Sequence, residues 1–295
     1  MTSAIAYSGE PGAFAEDAVV AAFGDVERRG LPGFRQVFEA VTAGDAVAGV
    51  VPIENSVHGT VRENYDLLLE HDLGIRAEVV VPVRLCLAAL PGQRLEAIER
   101  VYSHVQALGQ AEAFLRTRPW SLLTTYNTAG AGRLIVDRDE TGAAAVLSPR
   151  AAGLFGLEIL AEPIQDVADN RTRFLVVARA EATLPAMPGL APTAVVGSVA
   201  AGPGHAGPAT RTTLVVAVRN EPGALLRVLR VFAERDLNMS TIESRPSRER
   251  AWEYVFWVDL DAAGDDPAMQ AALADLAEVT TLARVLGSYP RSTGT

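Results

Sequence analysis

Residues 46–61, AVAGVVPIENSVHGTV, join an apolar run to a polar loop and decide the fold of the first half of the chain. The run 46–52 is rich in Val and Ala and predicts a buried strand. The loop 53–60 carries Glu, Asn, Ser, Gly and Thr, and residues 61–70 have the spacing of an amphipathic helix. A strand that leads through a polar loop into a helix is the repeating unit of an α/β domain.

The same order of short apolar runs and amphipathic stretches extends across residues 1–179. Further strands are predicted at residues 4–7, 122–125, 143–147 and 174–178, with one long strand or a strand pair at 75–88. Helices are predicted at residues 14–23, 107–116, 128–136 and 149–155. This alternation predicts an α/β domain with a mainly parallel sheet, built as one sheet or as two lobes around a cleft.

Residues 212–295 have a different rhythm. Strands are predicted at 212–219, 237–245, 252–260 and 281–287, and helices at 223–234 and 267–277. The resulting βαββαβ order is the ferredoxin-like arrangement. Because such a small sheet has an open edge, pairing with a second copy is expected. Residues 180–211 contain five prolines and predict an extended linker.

The composition excludes several kinds of chemistry. All 26 basic side chains are Arg, and without Lys neither a Schiff base nor a P-loop is possible. One Cys excludes an intrachain disulfide, and the four His lack metal-binding spacing, so neither metal nor other cofactor is expected. The net charge of −10 argues against nucleic acid as a partner. No stretch predicts a membrane helix or an export signal, so we expect a cytoplasmic protein.

Five loops between a predicted strand and a predicted helix carry Ser, Thr, Asn or Gly. They are residues 8–12, 53–60, 103–106, 127–128 and 148–149. Each set of side chains could simply cap its helix. If the loops meet at one end of a sheet, helix N-termini and backbone N–H groups converge on one cleft, which predicts a small carboxylate or phosphate ligand.

The segment NRTRF, residues 170–174, precedes the last apolar run of the first region. Two arginines around a threonine are compatible with a solvated strand entrance. They are equally compatible with a hydroxyl donor beside a cation that clamps a carboxylate. The spacing alone leaves both interpretations open.

Several segments, in order along the chain, resemble motifs of the prephenate dehydratases that carry an ACT regulatory domain. The catalytic motifs are resembled by YSGEPGAF at 7–14, VPIENSVHGTV at 51–61, YSHVQALGQ at 102–110 and NRTRF at 170–174. The two phenylalanine-binding motifs of the ACT domain are resembled by NEPGAL at 220–225 and IESRP at 242–246. Val105 departs from the proline usual in its motif, and Asn127 stands where the family usually has Ser.

The resemblance implies decarboxylating dehydration of prephenate to phenylpyruvate in L-phenylalanine biosynthesis, without a cofactor. It implies a two-lobed, periplasmic-binding-protein-like α/β catalytic domain at 1–179, a linker at 180–211 and a ferredoxin-like ACT domain at 212–295. Two alternatives stay open: an arogenate dehydratase, and a non-catalytic two-lobed protein that senses an amino acid.

The resemblance also assigns roles to residues. Thr172 would hydrogen-bond the leaving hydroxyl, and Arg173 would clamp a carboxylate or, alternatively, pair with an acidic side chain. The other expected catalytic residues are Asn55, Ser103 and Gln110, and the expected substrate contacts are Thr60, Gln106, Thr128 and Phe174. Phe174 is equally compatible with a place in the core. His58 is assigned no role.

L-Phenylalanine is expected to bind between two ACT domains as an allosteric ligand. Its expected contacts are Gly223, Ala224, Leu225, Glu243, Ser244, Arg245 and Pro246. The partner is therefore a second copy of the chain, in a dimer or a tetramer. The sequence leaves the sign of the response open.

Overall fold

The computed structural model describes residues 4–190, 210–247 and 254–292. Most of the predicted linker, residues 191–209, lies outside the described residues. The described chain divides into two compact units. Residues 4–72 and 79–189 belong to the first unit, whereas residues 73–78 belong to the second unit together with the described residues from 190 onward.

The first unit alternates strands and helices along the chain. Its first half contains β1 (Ile5–Ser8), α1 (Phe14–Phe23), β2 (Arg28–Leu31), α2 (Phe34–Ala43), β3 (Ala48–Asn55), β4 (Gly59–Thr60), α3 (Arg62–Glu70) and β5 (Gly74–Pro82), whose first residues belong to the second unit. Its second half contains β6 (Cys86–Ala89), β7 (Arg100–Ser103), α4 (Val105–Gln110), α5 (Glu112–Leu115), β8 (Ser121–Thr124), α6 (Thr128–Arg138), β9 (Ala143–Leu147), α7 (Pro149–Leu154), β10 (Glu158–Ala161) and β11 (Arg171–Ala178).

These strands form two sheets, each with its own helices, which we call the first and the second lobe. The first lobe has the strand order β2-β1-β3-β11-β5, with β4 beside β3, and carries α1, α2 and α3. The second lobe has the order β10-β6-β9-β7-β8 and carries α4 to α7. The α/β prediction and its two-lobed form are confirmed.

The sheets are mixed rather than mainly parallel. β1 runs parallel to β2 and β3, and β7 runs parallel to β8 and β9. The chain leaves the first lobe after β5 and returns to it as β11, which pairs antiparallel with β3. β6 is likewise antiparallel to both of its neighbours. The antiparallel strands thus arise where the chain crosses between the lobes.

Two expectations about individual elements change. Residues 75–88 form a strand pair, but β5 and β6 lie in different sheets. The helix expected at 107–116 is two short helices, because Ala111 leaves helical geometry at φ −118° and ψ 22°. Helix α2 was missed, although Val37, Phe38 and Val41 form the buried apolar face of an amphipathic helix. The short strands β2, β7 and β10 were also missed.

The second unit contains β12 (Thr210–Val218), α8 (Ala224–Ala233), β13 (Met239–Pro246), β14 (Tyr254–Leu260), α9 (Pro267–Val279) and β15 (Leu282–Pro290). The strands form an antiparallel sheet with the order β13-β14-β12-β15. A single apolar cluster joins both helices to it, with Leu214 and Val216 from the sheet and Val228 and Leu276 from the helices. The ferredoxin-like prediction is confirmed.

Residues 73–78 complete this unit in a way that the sequence did not indicate. Glu78 and Arg211 are both buried, and a guanidinium nitrogen of Arg211 lies 2.6 Å from a carboxylate oxygen of Glu78. The other Glu78 oxygen accepts the backbone N–H of Ser292 at 2.9 Å. A Cβ on Gly287 would lie 2.1 Å from the carbonyl oxygen of Ile75, so a larger residue at position 287 would displace this segment.

Candidate functional site

The candidate site is built around Asn55, the last residue of β3. The side-chain oxygen of Asn55 accepts the backbone N–H groups of Val57 and His58 at 3.0 and 2.9 Å. These two bonds fix the orientation of the amide and form the turn that leads into β4. The amide nitrogen must therefore face the opposite way, toward β11.

On that side the Asn55 amide nitrogen meets the start of β11, where Thr172 lies directly opposite Asn55 in the strand register. It donates to the hydroxyl of Thr172 at 3.0 Å and to the side-chain oxygen of Asn170 at 2.8 Å. Thr172 is only 8% exposed. Since its oxygen already accepts the Asn55 N–H, the hydroxyl hydrogen of Thr172 is available for another acceptor.

Arg173 lies beside this pair. Its guanidinium is 3.4 Å from the carboxylate of Glu54, across the ladder between β11 and β3. The expected alternative of an ion pair with an acidic side chain is therefore present in the structure. A guanidinium has five donors, so pairing with Glu54 leaves it able to hold a further carboxylate. The neighbouring Arg171 pairs with Asp169 at 2.5 Å.

The second lobe contributes Gln110 at the end of α4. The amide nitrogen of Gln110 is 3.0 Å from Nδ1 of His58, which is also 3.3 Å from the side-chain oxygen of Asn55. The structure thus brings together three predicted residues: Asn55, Thr172 and Gln110. His58, to which sequence reasoning assigned no role, lies between two of them.

The other predicted residues of the first unit take different positions. Ser103 is fully buried, and its hydroxyl donates to the carbonyl of Val146 at 2.6 Å, so it joins β7 to β9. Gln106 is exposed in the first turn of α4, and Thr128 is half-buried at the start of α6. Thr60 is half-buried in β4.

Phe174 is a correction. It is 2% exposed in β11, with its neighbours Leu175 and Val176 equally buried. The ring therefore belongs to the core of the sheet, and the expected wall of a substrate pocket is not formed by it. A strand phenylalanine between apolar residues is stabilised by the burial of its whole side chain.

The five polar loops make two kinds of contact: side-chain caps of helices and bonds to other segments. Side-chain caps are present at three helices, where His104, Asn127 and Ser148 each accept a backbone N–H. Ser148 also donates to the carbonyl of Gly12 at 3.3 Å, which joins the loops 148–149 and 8–12. The loop 53–60 meets the last residue of α4 through His58 and Gln110. Capping thus occurs at three of the five loops, and a direct bond between two of the loops joins 148–149 to 8–12.

Glu16 forms a buried ionic cluster that sequence reasoning missed. Its carboxylate accepts bonds from Arg28 at 2.6 Å, from the backbone N–H of Gly12 at 2.6 Å and from Arg150 at 2.9 Å. Burial alone would raise the pKa of Glu16, but these donors lower it to about 2. Arg150 belongs to α7, so the cluster joins the two lobes. Its members are up to 134 residues apart, and no local pattern could have indicated it.

The cluster also fixes the glycine loop 8–12. Gly12 has φ +89°, and a Cβ at this position would lie 2.8 Å from the Cβ of Ala151 in α7. The close approach and the positive φ both require glycine. The Glu16 carboxylate that binds the Gly12 N–H thus holds the loop directly against the second lobe.

The predicted regulatory residues lie at two places in the second unit. Gly223 has φ +79° and precedes α8, whose first residue, Ala224, is buried and followed by the half-buried Leu225. Glu243 and Arg245 alternate along β13 with two exposed residues, Ser244 and Pro246. β13 is an edge strand of its sheet. The predicted residues thus lie on an edge strand and at the glycine turn before α8.

Two kinds of feature are absent from residues 4–190, 210–247 and 254–292. Within these ranges no three His, Cys, Asp or Glu side chains are grouped so as to hold a metal ion. None of the helices described there is long and apolar enough to cross a bilayer.

The chain is similar to known proteins in sequence and in structure. The model of the prephenate dehydratase family matches residues 5–182, and the model of the ACT domain matches residues 212–278. A relative from Arabidopsis thaliana, named arogenate dehydratase/prephenate dehydratase 2, is 40% identical over 98% of this chain and 73% of its own length.

Two solved structures have the same fold over nearly the whole chain. Prephenate dehydratase from Arthrobacter aurescens in complex with L-Phe is 32% identical, with a TM-score of 0.83 over 99% of this chain and 91% of that one. GqqA, described as a novel type of quorum quenching acylase, is 30% identical, with a TM-score of 0.84 over 98% of both chains. The chain has the motifs predicted from its sequence and this fold, and it belongs to the prephenate dehydratase family.

Proposed function

We propose that this chain is a prephenate dehydratase that converts prephenate to phenylpyruvate, water and carbon dioxide. The observation that carries the proposal is the Asn55–Thr172 pair, with Arg173 and Glu54 beside it in the same strand ladder. Together these groups supply a hydroxyl donor and a cation on consecutive residues of β11, in a chain that belongs to the prephenate dehydratase family.

The reaction breaks two bonds that join ring carbons to their substituents. The C–O bond releases the hydroxyl, and the bond to the ring carboxylate breaks with loss of carbon dioxide, leaving its electron pair to complete the aromatic ring. The departing hydroxide needs a proton or a strong hydrogen bond, since it is a poor leaving group. The Thr172 hydroxyl, oriented by Asn55, is the group that we assign to this hydrogen bond.

The substrate also carries two carboxylates that need partners. We assign one to Arg173, whose planar guanidinium binds a carboxylate through two parallel hydrogen bonds. The Asn55, Ser103 and Gln110 positions remain our proposed catalytic contacts, and Thr60, Gln106 and Thr128 our proposed substrate contacts.

The decisive experiment follows phenylpyruvate formation from prephenate by absorbance, with purified protein and no added metal or cofactor. A matched pair of variants, Thr172→Val and Thr172→Ser, separates the hydroxyl from the shape of the side chain. We expect activity in the wild type and in Thr172→Ser, and a large loss in Thr172→Val. Absence of activity in the wild type with both prephenate and arogenate would reject the proposal.

Arogenate is the second candidate substrate, because the Arabidopsis relative bears both names. Arogenate has an amino group where prephenate has a keto group, and it yields phenylalanine directly by the same bond changes. Comparison of kcat/KM for the two substrates in the same preparation decides between them. A higher kcat/KM with arogenate would replace prephenate in the proposal and leave the reaction type unchanged.

The regulatory part of the proposal concerns the second unit. L-Phe would bind at an interface between two copies, at Gly223, Ala224, Leu225, Glu243, Ser244, Arg245 and Pro246. The L-Phe complex of the Arthrobacter aurescens protein supports this assignment. Calorimetry of L-Phe against the full chain is the direct test, with Arg245→Ala as the variant expected to weaken binding. No detectable binding at millimolar L-Phe would reject the assignment.

The remaining parts of the proposal concern organisation. We propose that residues 1–179 catalyse the reaction and residues 212–295 regulate it, with the linker 180–211 between them. The open edge of β13 supports a homodimer or a homotetramer, which light scattering would distinguish from a monomer. A cytoplasmic location and a reaction without metal complete the proposal.

A further inference from the structure

His58 joins the two lobes at the point where the proposed reaction takes place. It lies in the turn between β3 and β4 of the first lobe, while Gln110 ends helix α4 of the second lobe. Nδ1 of His58 is 3.0 Å from the amide nitrogen of Gln110 and 3.3 Å from the side-chain oxygen of Asn55. One imidazole nitrogen therefore faces a donor and an acceptor at once.

The hydrogen-bond partners decide the protonation state of this nitrogen. The amide nitrogen of Gln110 can only donate, so Nδ1 must be an acceptor and carry no hydrogen. The Asn55 oxygen already accepts two backbone N–H groups, from Val57 and from His58 itself. A hydrogen on Nδ1 would have to be a third donor to that oxygen. The arrangement therefore selects the neutral imidazole with its hydrogen on Nε2.

We propose that neutral His58 is a positioning residue of the dehydration site. It holds the Gln110 side chain of the second lobe against the Asn55–Thr172 pair of the first, and so fixes how the lobes meet around the substrate. The inference rests on the proposed function and adds to it a residue that joins the two lobes at the site.

The test compares His58→Asn with His58→Phe in the full-length protein. The side-chain oxygen of Asn can occupy the place of Nδ1 and accept from Gln110, whereas Phe accepts nothing. We expect His58→Asn to keep kcat/KM within about 2-fold of the wild type. We expect His58→Phe to lower it by about 3- to 10-fold, the effect of one neutral hydrogen bond.

A matched control separates positioning at the site from a general effect of removing a histidine. Nδ1 of His71 also lies near a side chain, Thr42 at 3.1 Å, but this contact joins α2 to the residue that follows α3. His71→Asn should keep the kcat/KM of the wild type.

A double-mutant cycle identifies Gln110 as the partner. If His58 acts through Gln110, His58→Phe should cost little in a Gln110→Ala background. An active wild type with an unchanged His58→Phe variant would overturn the inference while leaving the proposed function intact. So would a His58→Asn variant as poor as His58→Phe, or additive losses in the cycle.

Discussion

Glu16 provides a prediction with a magnitude, because the shift of its pKa indicates how much the folded protein stabilises the ionised carboxylate. Its pKa falls from the ordinary 4.5 to about 2, since Arg150, the Gly12 N–H and Arg28 all donate to the carboxylate. One pH unit corresponds to about 1.4 kcal/mol. The ionised carboxylate therefore stabilises the folded state by about 3 kcal/mol at neutral pH. The side chain is 6% exposed, so solvent screening is small.

Glu16→Gln keeps the shape of the side chain and removes the charge. We expect the free energy of unfolding at pH 7 to fall by about 3 kcal/mol. Because the folded pKa lies below the unfolded one, the contribution is present above about pH 4.5 and is lost as the pH falls toward 2. The difference between wild type and variant should therefore shrink to about 1.5 kcal/mol near pH 3.

Urea unfolding at pH 7, 4 and 3, followed by circular dichroism, measures this difference. Asp25→Asn is the matched control, since Asp25 pairs with the same Arg28 at 3.3 Å but its side chain is fully exposed. It should leave the unfolding curve nearly unchanged. A Glu16→Gln variant as stable as the wild type at pH 7, or a difference that does not shrink on acidification, would refute the reasoning.

Three further predictions concern the reaction. Thr172→Ala should lower kcat by about 100-fold with an unchanged thermal unfolding curve, because it removes the hydrogen bond to the departing hydroxyl. Wild-type turnover of this variant in steady-state kinetics would contradict the assignment. Arg173→Lys should raise KM or lower kcat although the charge is kept, since lysine lacks the planar pair of donors, and unaltered kinetics would exclude the clamp. Activity should survive dialysis against EDTA, and its loss with recovery on addition of one metal would overturn the metal-free reaction.

The sequence carried enough information for most of the elements but not for their pairing. Apolar runs such as 143–147 and 174–178 mark strands because both faces of those strands are buried. The stretch 75–88 is mostly apolar, yet its two strands belong to different sheets. Local patterns record burial, and they do not record which sheet buries a residue.

The candidate site also combines local features that the sequence predicts with long-range contacts that it does not. The turn after Asn55 follows from local chemistry, because an Asn side chain readily accepts backbone N–H groups of the next residues. Contact between Asn55 and Thr172, 117 residues apart, could be anticipated only through resemblance to a family. Phe174 belongs to a resembling motif but lies in the core. The Glu16–Arg150 pair has no motif at all, since it depends entirely on how the two lobes pack.

The assignment of residues 73–78 to the second compact unit has a consequence for how such a gene can evolve and be dissected. Severing the chain within the linker would leave Glu78 in one fragment and Arg211 in the other. A buried carboxylate deprived of its arginine costs several kcal/mol. A regulatory module transplanted from another protein must therefore bring a cation for Glu78, or the recipient must first lose that acid. The linker separates the two domains along the sequence, but recombination within it would also separate Glu78 from Arg211.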